Sequence, residues 1–142
     1  MNAGAPWSIE LAGSEIARIE QHGADLVVVL AAARVGGDRS LLDPARSGGH
    51  VLGVRWHLFE ASWEGLPSSL IGRIDEADWR SESGSQTATG MATGMVLRAP
   101  SRGDSPTALT LRTALGDALL VRAKAWRVEL PTEVRFAPSL AC

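Results

Sequence analysis

The chain has 142 residues, 45% of them hydrophobic and 21% charged, with a formal net charge of −2. That is one domain's worth of polypeptide, long enough to bury a core without metal or disulfide staples, and its composition excludes wholesale disorder. The charge balance gives no electrostatic footprint for nucleic acid or an anionic membrane, and the single cysteine, Cys142, excludes an intrachain disulfide and a cysteine-built zinc site.

The opening MNAGAPWSIELAG has neither a basic start nor an apolar core, so it does not read as a signal peptide. The longest apolar run, LVVVLAAA at 26–33, is far shorter than the ~20 residues a membrane helix needs. A soluble, cytoplasmic protein is the expectation. Of the 14 basic residues only Lys124 is a lysine, and the arginines are scattered, which fits genome base composition better than a dedicated patch.

The first element is a hairpin over 14–35. Ile16, Arg18 and Glu20 alternate, Gly23 and Asp25 supply a turn, and Leu26 to Leu30 return as a strand, since three successive valines lose rotamer freedom in a helix. The connection 36–49 is rich in turn residues, with a short helical turn predicted at 40–42.

The stretch HVLGVRWHLFEASW, 50–63, reads as one long strand. Period two places Leu52, Val54, Trp56 and Leu58 on a core face and Gly53, Arg55, His57, Phe59 and Trp63 on the other. That second face is amphipathic and aromatic, which suits a surface covered by a partner. The segment 66–80 fits a helix through Leu70, Ile74 and Ala77, or a strand through Ile71, Arg73, Asp75, Ala77 and Trp79; Gly72 tips the reading toward strand.

At 88–95 the word ATGM is written twice. Read with period two, Thr89, Met91, Thr93 and Met95 share one side and Ala88, Gly90, Ala92 and Gly94 the other, so the duplication lengthens a strand without turning its faces over. With SESGSQ before it, the region 81–95 reads as a flexible loop or a strand frayed in its first half.

A second hairpin follows over 109–130, turning at Gly116 and Asp117. Shifted by 93 positions the two hairpins align: Gly23 with Gly116, Leu26 with Leu119, Val28 with Val121, Arg34 with Arg127. Both also change phase along the returning strand, which a bulge or a corner produces. The tail predicts a short edge strand at 133–136 and fraying over 137–142. The sum is an all-β domain, residues 1–142: an antiparallel β-sandwich or partly closed β-barrel of about seven to nine strands built from hairpins, with at most one short helix.

Chemistry is sparse. His50 and His57 fall seven apart on one strand, hence on opposite faces, and cannot share a metal without a bulge between them. Asp75, Glu76 and Asp78 lack the oxygen-ligand spacing of a calcium loop. No nucleophile elbow, metalloprotease helix or phosphate-binding loop is present. Trp63 and Trp79 end the two central strands beside charged residues, where tryptophan either caps the core or anchors an interface.

These features point to a non-enzymatic protein-interaction or self-assembly module, with a second copy or another protein as partner, no cofactor and no metal. Arg55, His57, Phe59, Trp63 and Trp79 are the candidate ligand or interface residues. The alternative is a small-molecule-binding barrel with room beside Ala88, Gly90, Ala92 and Gly94. A third reading, an enzyme, would use His57 with Glu60, Glu64 or Asp75.

Overall fold

The computed structural model describes residues 7–35, 49–81, 96–99, 101–131 and 135–137. Within them the chain is all-β. Eleven strands run in the order β1 (Trp7–His22), β2 (Asp25–Val35), β3 (His50–Phe59), β4 (Ser62–Glu64), β5 (Gly72–Ser81), β6 (Val96–Ala99), β7 (Ser101–Gly103), β8 (Thr107–Thr113), β9 (Ala118–Ala123), β10 (Ala125–Glu129) and β11 (Arg135–Ala137). The helical content of the described residues is one 3-10 turn, Pro67–Ser69.

Nine strands form one hydrogen-bonded path, β4-β9-β8-β5-β1-β2-β3-β10-β7, with β11 pairing β3 and β6 pairing β1. Every pairing is antiparallel. The path is not closed into a barrel. It doubles over where β5 meets β1, through Glu15 opposite Arg73 and Ile16 opposite Gly72. One layer is then β1-β2-β3-β10-β7 and the other β5-β8-β9-β4. Their inward faces share one core: Leu26, Val28, Leu30, Val54, Trp56 and Leu58 from the first, Ile74, Leu109, Leu111, Leu119 and Val121 from the second. β6 pairs with β1 and β7 with β10, so these two short strands sit against opposite ends of the β1-β2-β3-β10 run.

Two local devices decide which side chains face out. In β3 the buried positions are Val51, then Val54, Trp56 and Leu58, so the alternation changes phase at Gly53. Gly53 sits at φ 81, a conformation that L side chains avoid. Leu52 is therefore half-buried and off the core face where strict period two would have put it inside. His50 and His57 fall on the same outward side for the same reason. β2 shifts with β3, register unbroken from Leu26–Leu58 to Arg34–His50, and its buried residue after Leu30 is Ala33.

The second device is a break. The stretch 50–63 is not one strand: it ends at Phe59, and Glu60 turns the chain at φ 49 into β4 of the other layer. The Glu60 amide donates to Asp25 Oδ1 at 2.9 Å and the Ala61 amide to the Ala24 carbonyl at 2.7 Å, so the first hairpin's turn holds the corner. Lys124 crosses the opposite way, from β9 to β10, its amide donating to the Phe59 carbonyl at 2.9 Å.

The two hairpins thus share a phase change but not its cause. The turns differ as well: Gly23 and Ala24 make a two-residue link between His22 and Asp25, whereas three residues separate Thr113 from Asp117. The segment 66–80 resolves as the 3-10 turn followed by strand β5. Its inward residues are Leu70, Ile74, Ala77 and Trp79, because a bulge between Ile74 and Glu76 breaks the alternation. Ile71, Arg73 and Asp75, which share a face with Ala77 on an unbroken strand, are exposed. The tail strand is Arg135–Ala137, two residues within the expected span and one beyond. The helical turn at 40–42, the duplicated ATGM with the rest of 82–95, and 138–142 lie outside the described residues.

Candidate functional site

The outward face of the first layer carries most of the candidate residues. Register aligns Glu20 of β1, Val27 of β2, His57 of β3 and Arg127 of β10 in one row, with Arg102 of β7 opposite Arg127. The next row holds Arg18, Val29, Arg55 and Glu129. Val27 and Val29 are only 4% and 7% exposed although they point away from the core. The Glu20–Arg55 ion pair closes across β2 at this level, and the stems of such long polar side chains shield apolar surface while their charged ends stay in water.

Those charged ends form two clusters. Glu20 takes Arg18 on one oxygen, Nη2 at 2.8 Å, and both Arg55 Nη2 at 2.9 Å and His22 Nε2 at 3.0 Å on the other. The carboxyl is lowered from 4.5 to about 2, chiefly by the His22 and Arg18 hydrogen bonds and further by the charge of Arg55. On the far side of β3, Glu129 binds His57 Nε2 at 3.0 Å through one oxygen and Arg127 Nε at 2.9 Å through the other. The His57 ring stacks on Phe59 with 6.0 Å between centroids and 11° between planes. The Arg127 guanidinium carbon lies 5.6 Å from the Phe59 ring centre, a cation–π approach.

Arg55, His57 and Phe59 therefore share the outward face of β3 as the alternation requires, with β2 paired on one side and β10 on the other. Trp63 does not join them. The break at Glu60 carries it to β4, where it pairs with Val121 and packs, partly buried, against the core. Trp79 also turns inward. Its ring meets Trp56 edge-on at 5.8 Å and Trp126 at 5.0 Å, an aromatic cluster between the layers. The indole N–H groups of Trp56 and Trp126 are buried there without a hydrogen-bond partner.

The carboxylates weighed as partners for His57 are elsewhere. Glu60 pairs with Lys124 at 3.3 Å, Glu64 is on β4, and Asp75 is exposed at the β5 bulge. His57's carboxylate is Glu129, which sequence reasoning missed because 72 residues separate the two. The outward parity of Arg127 and Glu129 against Trp126 and Val128 is readable in the sequence; that β10 lies beside β3 is not. Among the described residues no group of three or more His, Cys, Asp or Glu is placed to hold a metal ion, and no helix is long and apolar enough to cross a membrane.

Comparison with protein-family models, with curated proteins and with solved structures gave no match to this chain.

Proposed function

We propose that this β-domain is a non-enzymatic protein-interaction module and that the outward face of β1-β2-β3-β10-β7 is its contact surface. The observation that carries the reading is the composition of that face. Phe59, in contact with both His57 and Arg127, shares the outward face of β3 with Arg55, on a strand whose other face already supplies core. Aromatic residues and arginine are the types that dominate binding energy at protein interfaces. The platform is pre-ordered by the Glu20 and Glu129 clusters, so little side-chain entropy remains to be lost on docking.

Hydroxyl-radical footprinting tests this. Protein purified natively at low salt is compared with the same protein separated from bound material in high salt. Protection of Phe59 and His57 in the native preparation, with Leu120 of the opposite layer unchanged, is the expected result. Equal reactivity of Phe59 in both preparations contradicts the proposal.

A further inference from the structure

The partner's chemistry is written in the edge of this face, and the inference rests on the contact-surface reading above. Arg102 and Arg127 stand directly opposite one another on β7 and β10. Like charges in that cross-strand position destabilise a sheet. Arg127 is partly neutralised by Glu129, whose other oxygen is taken by His57. Arg102 is exposed and makes no ion pair among the described residues.

The two rows together hold four arginines, Arg18, Arg55, Arg102 and Arg127, against two glutamates, Glu20 and Glu129, although the whole chain is net negative. The neighbouring acids do not pair with Arg102: Asp25 accepts from the Glu60 amide, and Asp104, two residues along from Arg102, makes no ion pair with it. The opposite layer is balanced by comparison, Arg112 with Glu76 and Arg80 with Asp78.

We infer that the Arg102–Arg127 pair receives a carboxylate from an acidic segment of the partner protein. A carboxylate between two guanidiniums gains charge-assisted hydrogen bonds from both and removes the cross-strand repulsion at the same time. An acidic peptide fits better than a nucleic acid. Glu20 and Glu129 are interleaved with the arginines and would repel a continuous phosphodiester, which calls for an unbroken cationic track. A peptide can place one or two acids at Arg102 and Arg127 and apolar residues over Phe59.

The test is fluorescence anisotropy of the intact protein with a labelled heptaglutamate peptide, beside a heptalysine peptide and a single-stranded oligonucleotide of equal charge. The acidic peptide is expected to bind, with affinity falling as salt is raised. Arg102→Ala and Arg127→Ala are each expected to weaken it ~10-fold. Arg112→Ala on the other layer is expected to leave it unchanged. Thermal midpoints of the variants, read alongside, show that each is folded. Absence of heptaglutamate binding at low salt, equal weakening by Arg112→Ala, or tighter binding of the oligonucleotide overturns the inference. If footprinting still shows Phe59 protected while heptaglutamate fails to bind, the contact surface stands and only its acidic partner falls.

Discussion

Glu20 and Arg55 meet at 2.9 Å although their strands are not neighbours: β2 lies between β1 and β3, and the pair closes over it. The bridge spans β2 from the Val27 row to the Val29 row and ties three strands together on the proposed contact face. Because Arg18 and His22 bind the same carboxylate, Glu20 is the centre of the charged network on that side.

The pH dependence follows from Glu20. Its carboxyl titrates at about 2 in the folded chain against an ordinary 4.5. A depressed carboxyl contributes stability that is fully present above the unfolded value and is lost as pH falls through the folded one. The difference in urea midpoint between wild type and Glu20→Gln is therefore expected to be largest above pH 4.5 and to shrink steadily toward pH 2. Added salt narrows it, since the cluster is close to solvent. A difference that stays constant across that window contradicts the assignment.

Inside the sandwich, Gly103 and Trp126 form a tight contact. A methyl group on Gly103 would lie 2.6 Å from Nε1, 2.7 Å from Cε2 and 2.9 Å from Cζ2 of the indole. Gly103→Ala is expected to cost about 1–3 kcal/mol through overpacking. Trp126→Phe removes Nε1 and the fused ring, so the double variant should lose less than the sum of the singles, by about 1 kcal/mol. Chemical denaturation of the four proteins gives the coupling; strict additivity would show that the contact is not where the cost arises.

At the corner between the layers, Glu60 holds a left-handed conformation at φ 49. Such a backbone costs a non-glycine residue ~1–2 kcal/mol. Its Lys124 pair is solvent-exposed on both sides and returns little. Glu60→Gly is expected to raise stability by up to about 1 kcal/mol once the added freedom of the unfolded glycine is counted. Asp25→Ala, which strips the acceptor from the Glu60 amide, is expected to lower it by about 1 kcal/mol. Denaturation midpoints moving the other way in either variant would contradict this account of the corner.

Much of this fold is legible as period-two patterning. The alternation Val54, Trp56, Leu58 against Arg55, His57, Phe59 survives intact because it lies on a regular stretch of strand. Legibility fails where one residue resets the phase. Gly53 moved Leu52 off the core face, the bulge after Ile74 produced a buried spacing that imitates a helix, and Glu60 took Trp63 to the other layer. Each reset depends on a backbone angle or on a pairing with a distant strand, and neither is written in local hydrophobicity. The site shows the same division. Its aromatic centre was readable, whereas Glu20, Glu129 and the Arg102–Arg127 pair came together only through strand order.

The contact face is tested most directly by partner retention after its charge is reversed and its ring removed. Wild type, a Phe59→Ser, Arg127→Glu variant and a control Arg112→Glu variant on the opposite layer are immobilised and exposed to native extract at low salt. Bound proteins are then quantified by mass spectrometry. A protein is expected to be retained by wild type and by the Arg112→Glu control, and depleted ~10-fold or more on the Phe59→Ser, Arg127→Glu variant. Equal retention by all three would contradict the proposed contact face.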